Sequence, residues 1–272
     1  MLAHARRPAA VLGSQTTATL TVTDNDSSPG AANPIDNNSF FVRQLYLDFL
    51  NREPDPPGLS AWLNILNNCP AGDTRCDRVE VASAFFRSPE FFDRAYFLYK
   101  FYEGSLIRQP QYDEYQSDLR RLTGFLTTEE LEQRKQQFAE EFVNRAEFHS
   151  LYDSFANGQP FVDAVLARAG SARPGVGAAV VTTSNRQSVI NRLAAGQITR
   201  GQGLRELMEA PEMSQRFFNK AFVVVGYFSF LRRNPAAAYL QWLNVLNTTG
   251  DYREMIRGLM QSPEYRLRFG PM

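Results

Sequence analysis

The chain has 272 residues, of which 43% are hydrophobic and 21% are charged, and its 29 basic residues balance its 29 acidic ones. That length and composition are typical of a folded globular protein with a sizeable buried core. A net charge of zero removes the electrostatic argument for binding nucleic acid, so we expect no nucleic-acid partner. No apolar run approaches the roughly 18 residues of a membrane-spanning helix, so no direct membrane span is expected.

The first residues contain arginines but no apolar segment behind them, which makes a poor secretory signal. Either the protein stays inside the cell or the chain is a fragment of a longer protein. Residues 14–26 then alternate threonine with Ala18, Leu20 and Val22, the pattern of one half-buried strand. Because one strand cannot bury its own apolar face, it is a candidate for pairing with a sheet edge on a partner or on another copy. Residues 27–38 have the composition of a flexible linker.

Helical periodicity begins after the linker. Apolar residues spaced four apart from Phe41 predict a first helix that stops before Pro54. In the turn that follows, Arg52 is placed to reach helix-terminal carbonyls or Asp55, and Asp55 to accept the backbone hydrogen bonds that start the next helix. Gly58 allows a close approach, and Trp62 lies on the apolar face of that next helix.

Damaged copies of this unit recur along the chain. The segment Ser88-Pro-Glu-Phe91 has counterparts whose glutamates are Glu147, Glu212 and Glu264. With Glu90 these are separated by 57, 65 and 52 residues, a period typical of helical repeat arrays. Trp242-Leu-Asn-Val-Leu-Asn247 matches the segment that begins at Trp62, and the segment 228–235, which contains Arg232, matches the first turn. Glutamates at the same place in every unit are expected to act as helix caps and not as one active site.

Two cysteines, Cys69 and Cys76, lie in a loop that the last copy lacks. Their spacing suits a small disulfide loop, which would imply an oxidising compartment, and two free thiols are the alternative. The only two histidines, His4 and His149, are far apart and show no arrangement typical of a nucleophile or of a metal site. The sequence therefore predicts no cofactor and no enzyme activity.

Aromatic residues at helical spacing are expected in the core. An exposed group of tyrosines would instead form a strip that binds sugar or protein, and the candidates are Tyr96, Tyr99, Tyr102, Tyr112 and Tyr115. Charge is also uneven along the chain. Residues 111–147 hold nine acidic and five basic residues, a net charge of −4, whereas residues 157–206 hold six basic and two acidic residues, a net charge of +4. This bias either steers head-to-tail contacts between copies or describes two solvated surfaces.

The motif Leu-x-Arg-x-Pro-Asp-x-x-Gly, followed by Trp62 and by Ser-Pro-Glu-Phe, resembles a bacterial family called the domain of unknown function 4214. It is more loosely similar to the linker domain of phycobilisomes. The resemblance covers about residues 40–269 and implies an all-helical fold, often attached to secreted or surface proteins, with linker relatives that act as assembly scaffolds. Residues 14–26 resemble the last strand of a Calx-beta domain. That likeness implies calcium ligands at Asp24 and Asp26, although calcium prefers six to eight oxygens.

We therefore predict an all-α array of about four helical repeat units after one short amino-terminal strand and a linker. The predicted segments are 1–38 for the strand and linker, 39–156 for repeats 1 and 2, and 157–272 for repeats 3 and 4. The expected function is that of a non-catalytic scaffold or linker that contacts other protein subunits or copies of itself, at the cell surface or outside the cell. The alternative is an extracellular carbohydrate-binding module with a glycan partner.

Overall fold

A computed structural model describes residues 32–124 and 126–271 of the chain. The predicted strand at 14–26 and the calcium candidates Asp24 and Asp26 lie outside the described residues. Within them the fold is all-α, as predicted, with a single isolated β-bridge between Arg173 and Val176. No helix in this part of the chain is long and apolar enough to cross a membrane.

The helices of the amino-terminal half follow a short 3₁₀ turn, Pro34–Asp36. They are α1 (Asn38–Leu50), α2 (Pro56–Asn67), α3 (Arg78–Phe86), α4 (Phe97–Ser105), α5 (Tyr112–Leu122), α6 (Thr128–Val143) and α7 (Ala146–Tyr152). A π-helical turn, Phe91–Tyr96, leads directly into α4.

The carboxy-terminal half repeats this arrangement with a second π-helical turn, Tyr227–Leu231, directly after α11. Its helices are α8 (Gln159–Gly170), α9 (Arg186–Ala194), α10 (Arg200–Glu209), α11 (Pro211–Gly226), α12 (Tyr239–Thr249), α13 (Arg253–Gln261) and α14 (Pro263–Arg266). We call the four repeats units 1 to 4. Their first helices are α1, α4, α8 and the end of α11 with its π-helical turn.

Short sequence signals set where several helices begin. The Thr127 hydroxyl accepts from the Glu130 N–H at 3.2 Å, and the Glu130 carboxylate accepts from the Thr127 N–H at 2.8 Å. Thr199 and Gln202 form the same reciprocal pair at the start of α10. Each pair satisfies two backbone N–H groups that have no partner inside the helix.

Aromatic side chains join units 1 and 4 in one hydrophobic core. Phe86 of α3 stacks on Phe222 of α11 with ring centroids 4.1 Å apart, and Phe49 of α1 meets Phe230 edge to face at 5.2 Å. Helices α6 and α10, and α4 and α8, also pack together across the predicted boundary at residue 156. The predicted segments 39–156 and 157–272 therefore separate pairs of units within a continuous core and not two cores.

Some charged side chains pair with each other inside the molecule. Helix α6 lies against α10, where Arg205 of α10 pairs with Glu132 of α6 and Lys135 of α6 pairs with Glu209 of α10. All three lysines of the sequence are buried, since Lys100, Lys135 and Lys220 are 5%, 4% and 4% exposed. The Lys220 ammonium donates to the fully buried Glu103 at 2.9 Å.

The predicted disulfide is present. Cys69 and Cys76 are bonded, with Cα atoms 5.5 Å apart, in the loop between α2 and α3. In unit 4 the equivalent helices are joined more tightly. There α12 ends at Gly250, whose φ of 71° is a conformation that favours glycine, and α13 begins at Arg253.

Candidate functional site

The turn after α1 contains the best-connected polar cluster of unit 1. Asn51 has a left-handed backbone with φ of 50°, which directs the following Arg52 back toward α1. The Arg52 guanidinium donates to both carboxylate oxygens of Glu90, at 2.9 and 2.8 Å, and lies over the Tyr46 ring at 4.9 Å. We call this Tyr–Arg–Glu arrangement a strap, because it ties the end of the first helix to the closing turn of the same unit.

Unit 2 contains a second strap at the same relative positions. Arg108 follows Ile107, whose φ is 59°, and donates to Glu147 at 2.8 and 2.6 Å. Its guanidinium lies 5.2 Å from the centre of the Tyr102 ring. Hydrogen bonds from Glu147 and then Glu114 raise the pKa of Arg108 above its usual range, so the guanidinium stays charged.

Unit 4 repeats the strap with Arg233 and not with the predicted Arg232. Arg233 donates to both oxygens of Glu264, at 2.8 Å for the Nη2 contact, and lies 5.5 Å from the centre of the Tyr227 ring. Arg232 takes the left-handed position, with φ of 53°, and its side chain bonds to Asp48 instead. Two adjacent arginines made the register ambiguous from sequence. The proline two residues after each strap arginine, Pro54, Pro110 and Pro235, is the signal that resolves it.

Unit 3 has lost the arginine of the strap. Glu212 accepts a hydrogen bond from the backbone N–H of Ser184 at 2.9 Å, and its other oxygen is buried without a hydrogen-bond partner in the described part of the chain. One backbone donor therefore replaces a guanidinium, and the unit is held by a neutral contact where the others have an ion pair.

The recurring glutamates lie in the first turns of their helices, as predicted, but in units 1, 2 and 4 they also accept from the strap arginines. The side-chain caps in units 1 and 4 come from serine. Ser88 accepts from the Phe91 N–H and Ser262 from the Tyr265 N–H, both at 3.1 Å. The arginine pairing was missed because the partners are 31 to 39 residues apart. The Arg-x-Pro that precedes Glu90, Glu147 and Glu264 was the signal available.

The remaining signature residues support the same turn. Asp55 accepts from the Gly58 N–H at 3.1 Å and starts α2. A Cβ on Gly58 would lie 2.5 Å from the Tyr46 hydroxyl, so this position has no room for a side chain. In unit 4 the residue before α12 is Ala238, which offers no side-chain cap.

The two tryptophans occupy equivalent places. Trp62 and Trp242 are both half-buried on outer helices, and each lies beside the tyrosine of its own strap, Tyr46 or Tyr227. Burial raises the pKa of both tyrosines, and the neighbouring tryptophan opposes that shift. In unit 2 the equivalent place is taken by Asp118, which accepts from the Tyr102 hydroxyl.

The alternative in which the five tyrosines form an exposed strip is wrong, because most of them lie in the core. Tyr96, Tyr99 and Tyr102 are 0% exposed and Tyr115 is 1% exposed, while Tyr112 is half-buried. These residues lie on α4 and α5 and on the turn that leads into α4, which pack in the middle of the molecule. Burial raises the pKa of Tyr96 and Tyr115 far above the usual range, so both hydroxyls stay neutral.

The straps provide bidentate ion pairs and ring stacking, which hold helices in place. Within residues 32–124 and 126–271, no three His, Cys, Asp or Glu side chains are grouped as a metal ion would require. Asp24 and Asp26 are not part of that search.

Comparison with known proteins gives one match. Residues 30–95 match the family model described as Domain of unknown function (DUF4214), and this segment contains Arg52, Trp62 and Glu90. Neither a curated protein nor a solved structure matches the chain. The likeness to phycobilisome linkers and to a Calx-beta strand stays a prediction. The matched segment covers about a quarter of the chain, and its described part, from residue 32, contains α1, α2 and α3 of unit 1.

Proposed function

We propose that the protein is a non-catalytic assembly module that contacts other protein subunits or copies of itself in a surface or multi-subunit complex. The recurring polar residues support this role because they are engaged within their own units. A charged residue committed to a bidentate ion pair is a poor candidate for proton transfer or for nucleophilic attack.

The observation that carries the proposal is the exposed apolar side of α2. Six of its twelve residues are Leu, Trp, Ile or Ala, yet Leu66 is the only buried residue of the helix. Leu59, Trp62 and Leu63 are half-buried, and Ile65 is 38% exposed. In unit 4 the matching helix exposes Leu240 to the same 38%. Aromatic and aliphatic side chains on an outer helix favour contact with another protein.

The disulfide supports a location outside the cytoplasm, because such bonds persist in oxidising compartments. Burial of the tyrosine strip leaves the carbohydrate-binding alternative without the surface on which it was predicted.

Association of the full chain tests the proposal. Light scattering during size-exclusion chromatography at about 1–100 µM is expected to give a mass above that of the monomer, or the protein is expected to elute within a larger particle from its native preparation. Ile65→Glu places a charge on the apolar side of α2 and is expected to abolish association. Ser60→Glu, at an exposed polar position of the same helix, is the matched control and is expected to leave it unchanged. The proposal is contradicted if the wild-type chain is a monomer both as purified protein and in its native preparation.

A further inference from the structure

A cavity of about 290 Å³ lies where units 1, 2 and 4 meet. Its walls come from α1, from the turns after the first helices of units 1 and 4, and from α5. The residues that line it are Leu47, Asp48, Asn51, Tyr112, Asp113, Gln116, Arg120, Phe228 and Arg232. Its volume is at the lower end of the range of small-molecule sites, about 300–1,000 Å³.

The two carboxylate oxygens of Asp48, which lines this cavity, differ in their hydrogen-bond partners. Its side chain is 2% exposed, and its Oδ1 accepts from Arg232 at 3.0 Å and from Arg268 at 2.8 Å. Its Oδ2 is buried and has no hydrogen-bond partner among the described residues. A buried carboxylate oxygen without a donor is unfavourable, so a donor that reaches it would be favoured.

Three further polar side chains at the cavity are unused. Asp113, Gln116 and Arg120 lie on one face of α5, at spacings of three and four residues. Their side chains make no hydrogen bond or ion pair with another residue in the described ranges, whereas the strap arginines are fully engaged. Polar groups without internal partners around a concave site are available to a ligand.

The charges of the lining indicate a neutral ligand. Two carboxylates, Asp48 and Asp113, face two guanidinium groups, Arg120 and Arg232. A phosphate would meet the carboxylates, and a cation would meet the arginines. The positive charges of the two guanidinium groups that contact Asp48 would repel an ammonium group placed beside its free Oδ2. A neutral hydroxyl can donate a hydrogen bond there without that repulsion.

The rings at the cavity add an apolar wall. Tyr112 and Phe228 meet edge to face with centroids 5.8 Å apart, and both line the cavity. A sugar ring presents C–H groups to such a wall and hydroxyls to the polar groups around it. We propose that this cavity binds a neutral saccharide of one or two rings, with Asp48, Gln116 and Arg120 as hydrogen-bonding residues. This inference does not depend on the proposed assembly role.

Binding by the full chain tests the site. Isothermal titration is run with a panel of neutral monosaccharides and disaccharides, and with glycine and inorganic phosphate as zwitterionic and anionic probes. We expect a sugar to bind, and Gln116→Leu and Arg120→Leu each to weaken it roughly tenfold or more. Gln133→Leu is the matched control, because Gln133 is exposed on α6 and does not line the cavity. It should leave the affinity unchanged.

Asp48→Asn gives a second test, since it keeps the shape of the side chain and changes its acceptor capacity. It is expected to weaken sugar binding, measured on protein whose far-UV circular dichroism matches that of the wild type. If it does not fold, the two α5 variants still decide the question. Absence of binding to every sugar, preference for glycine or phosphate, or affinity unchanged in both α5 variants would overturn the proposal.

Discussion

Units 1 and 4 have nearly the same chemistry but different burial. Each has a Tyr–Arg–Glu strap, a tryptophan beside the strap tyrosine, and a serine cap on its closing helix. In unit 1 the strap side chains Arg52 and Glu90 are 14% and 20% exposed, whereas in unit 4 Arg233 and Glu264 are 41% and 43% exposed. The same motif therefore does not contribute the same free energy in every unit, because solvent screens the ion pair more strongly in unit 4 than in unit 1.

Substitutions in the core beneath the straps should show the largest difference in stability between units 1 and 4. Phe86→Ala in unit 1 removes a fully buried ring that contacts Phe49, Phe91 and Phe222, and should lower the free energy of unfolding by about 3–5 kcal/mol. Met260, which occupies the equivalent place in unit 4, is only half-buried. Met260→Ala should cost about 1–2 kcal/mol in the same urea titration. Equal losses would show that the two units contribute alike.

The second-largest difference between the two units should come from the disulfide, which only unit 1 contains. Replacing both Cys69 and Cys76 by serine removes a constraint on an eight-residue loop and should cost about 2–3 kcal/mol on the chain-entropy model. Urea unfolding with and without a reducing agent measures it. The reductant should lower the stability of the wild type and leave the double variant unaffected. A reductant effect on the variant would mean that something other than this bond is being measured.

The straps of units 1 and 4 should differ less in how much they contribute to the free energy of unfolding. Arg52→Met removes a half-shielded bidentate pair and should cost about 1–3 kcal/mol, whereas Arg233→Met removes an exposed one and should cost under about 1 kcal/mol. Methionine keeps the length of the side chain and its contact with the tyrosine ring. Thermal unfolding of the two variants side by side makes the comparison, and a larger loss for Arg233 would contradict it.

The smallest effect is a dependence on pH in unit 4. The hydrogen bond from Arg233 lowers the pKa of Glu264 below its usual value of 4.5. Because the folded-state pKa is the lower one, the stabilisation is fully present above pH 4.5 and is lost as the pH falls through the folded-state value. The difference in urea midpoint between the wild type and Arg233→Met should therefore shrink on acidification below about pH 4.5. A difference that is constant from pH 7 to about pH 3 would contradict the assignment.

Much of the fold followed from local patterns. Apolar spacing and the glutamate period predicted an all-α repeat array, and the two tryptophan segments predicted that α2 and α12 are counterparts. The pairing of Arg52 with Glu90 did not follow, because a contact across 38 residues leaves no periodic trace in a single copy. Tyr99 and Tyr102 are buried, as expected for aromatic residues at helical spacing, but that spacing alone did not exclude an exposed strip, since it does not tell whether one face or the whole helix is covered.

The candidate cavity was beyond sequence reasoning for a similar reason. Asp48, Gln116 and Arg232 come from three different units, and each is an ordinary helix or turn residue in its own segment. Only the packing of units 1, 2 and 4 brings them together. The choice of Arg232 for the repeat signature was wrong because its backbone conformation, and not its residue type, decides which adjacent arginine reaches the glutamate.

Burial of all three lysines has a practical consequence for anyone who studies this protein. Reagents that acylate amines find no lysine side chain at the surface, so labelling, chip immobilisation or cross-linking through that chemistry is restricted to the terminal amine. Neighbour mapping needs carboxylate-directed or photoactivated reagents. Any lysine that does become modified reports that the helices around it have opened.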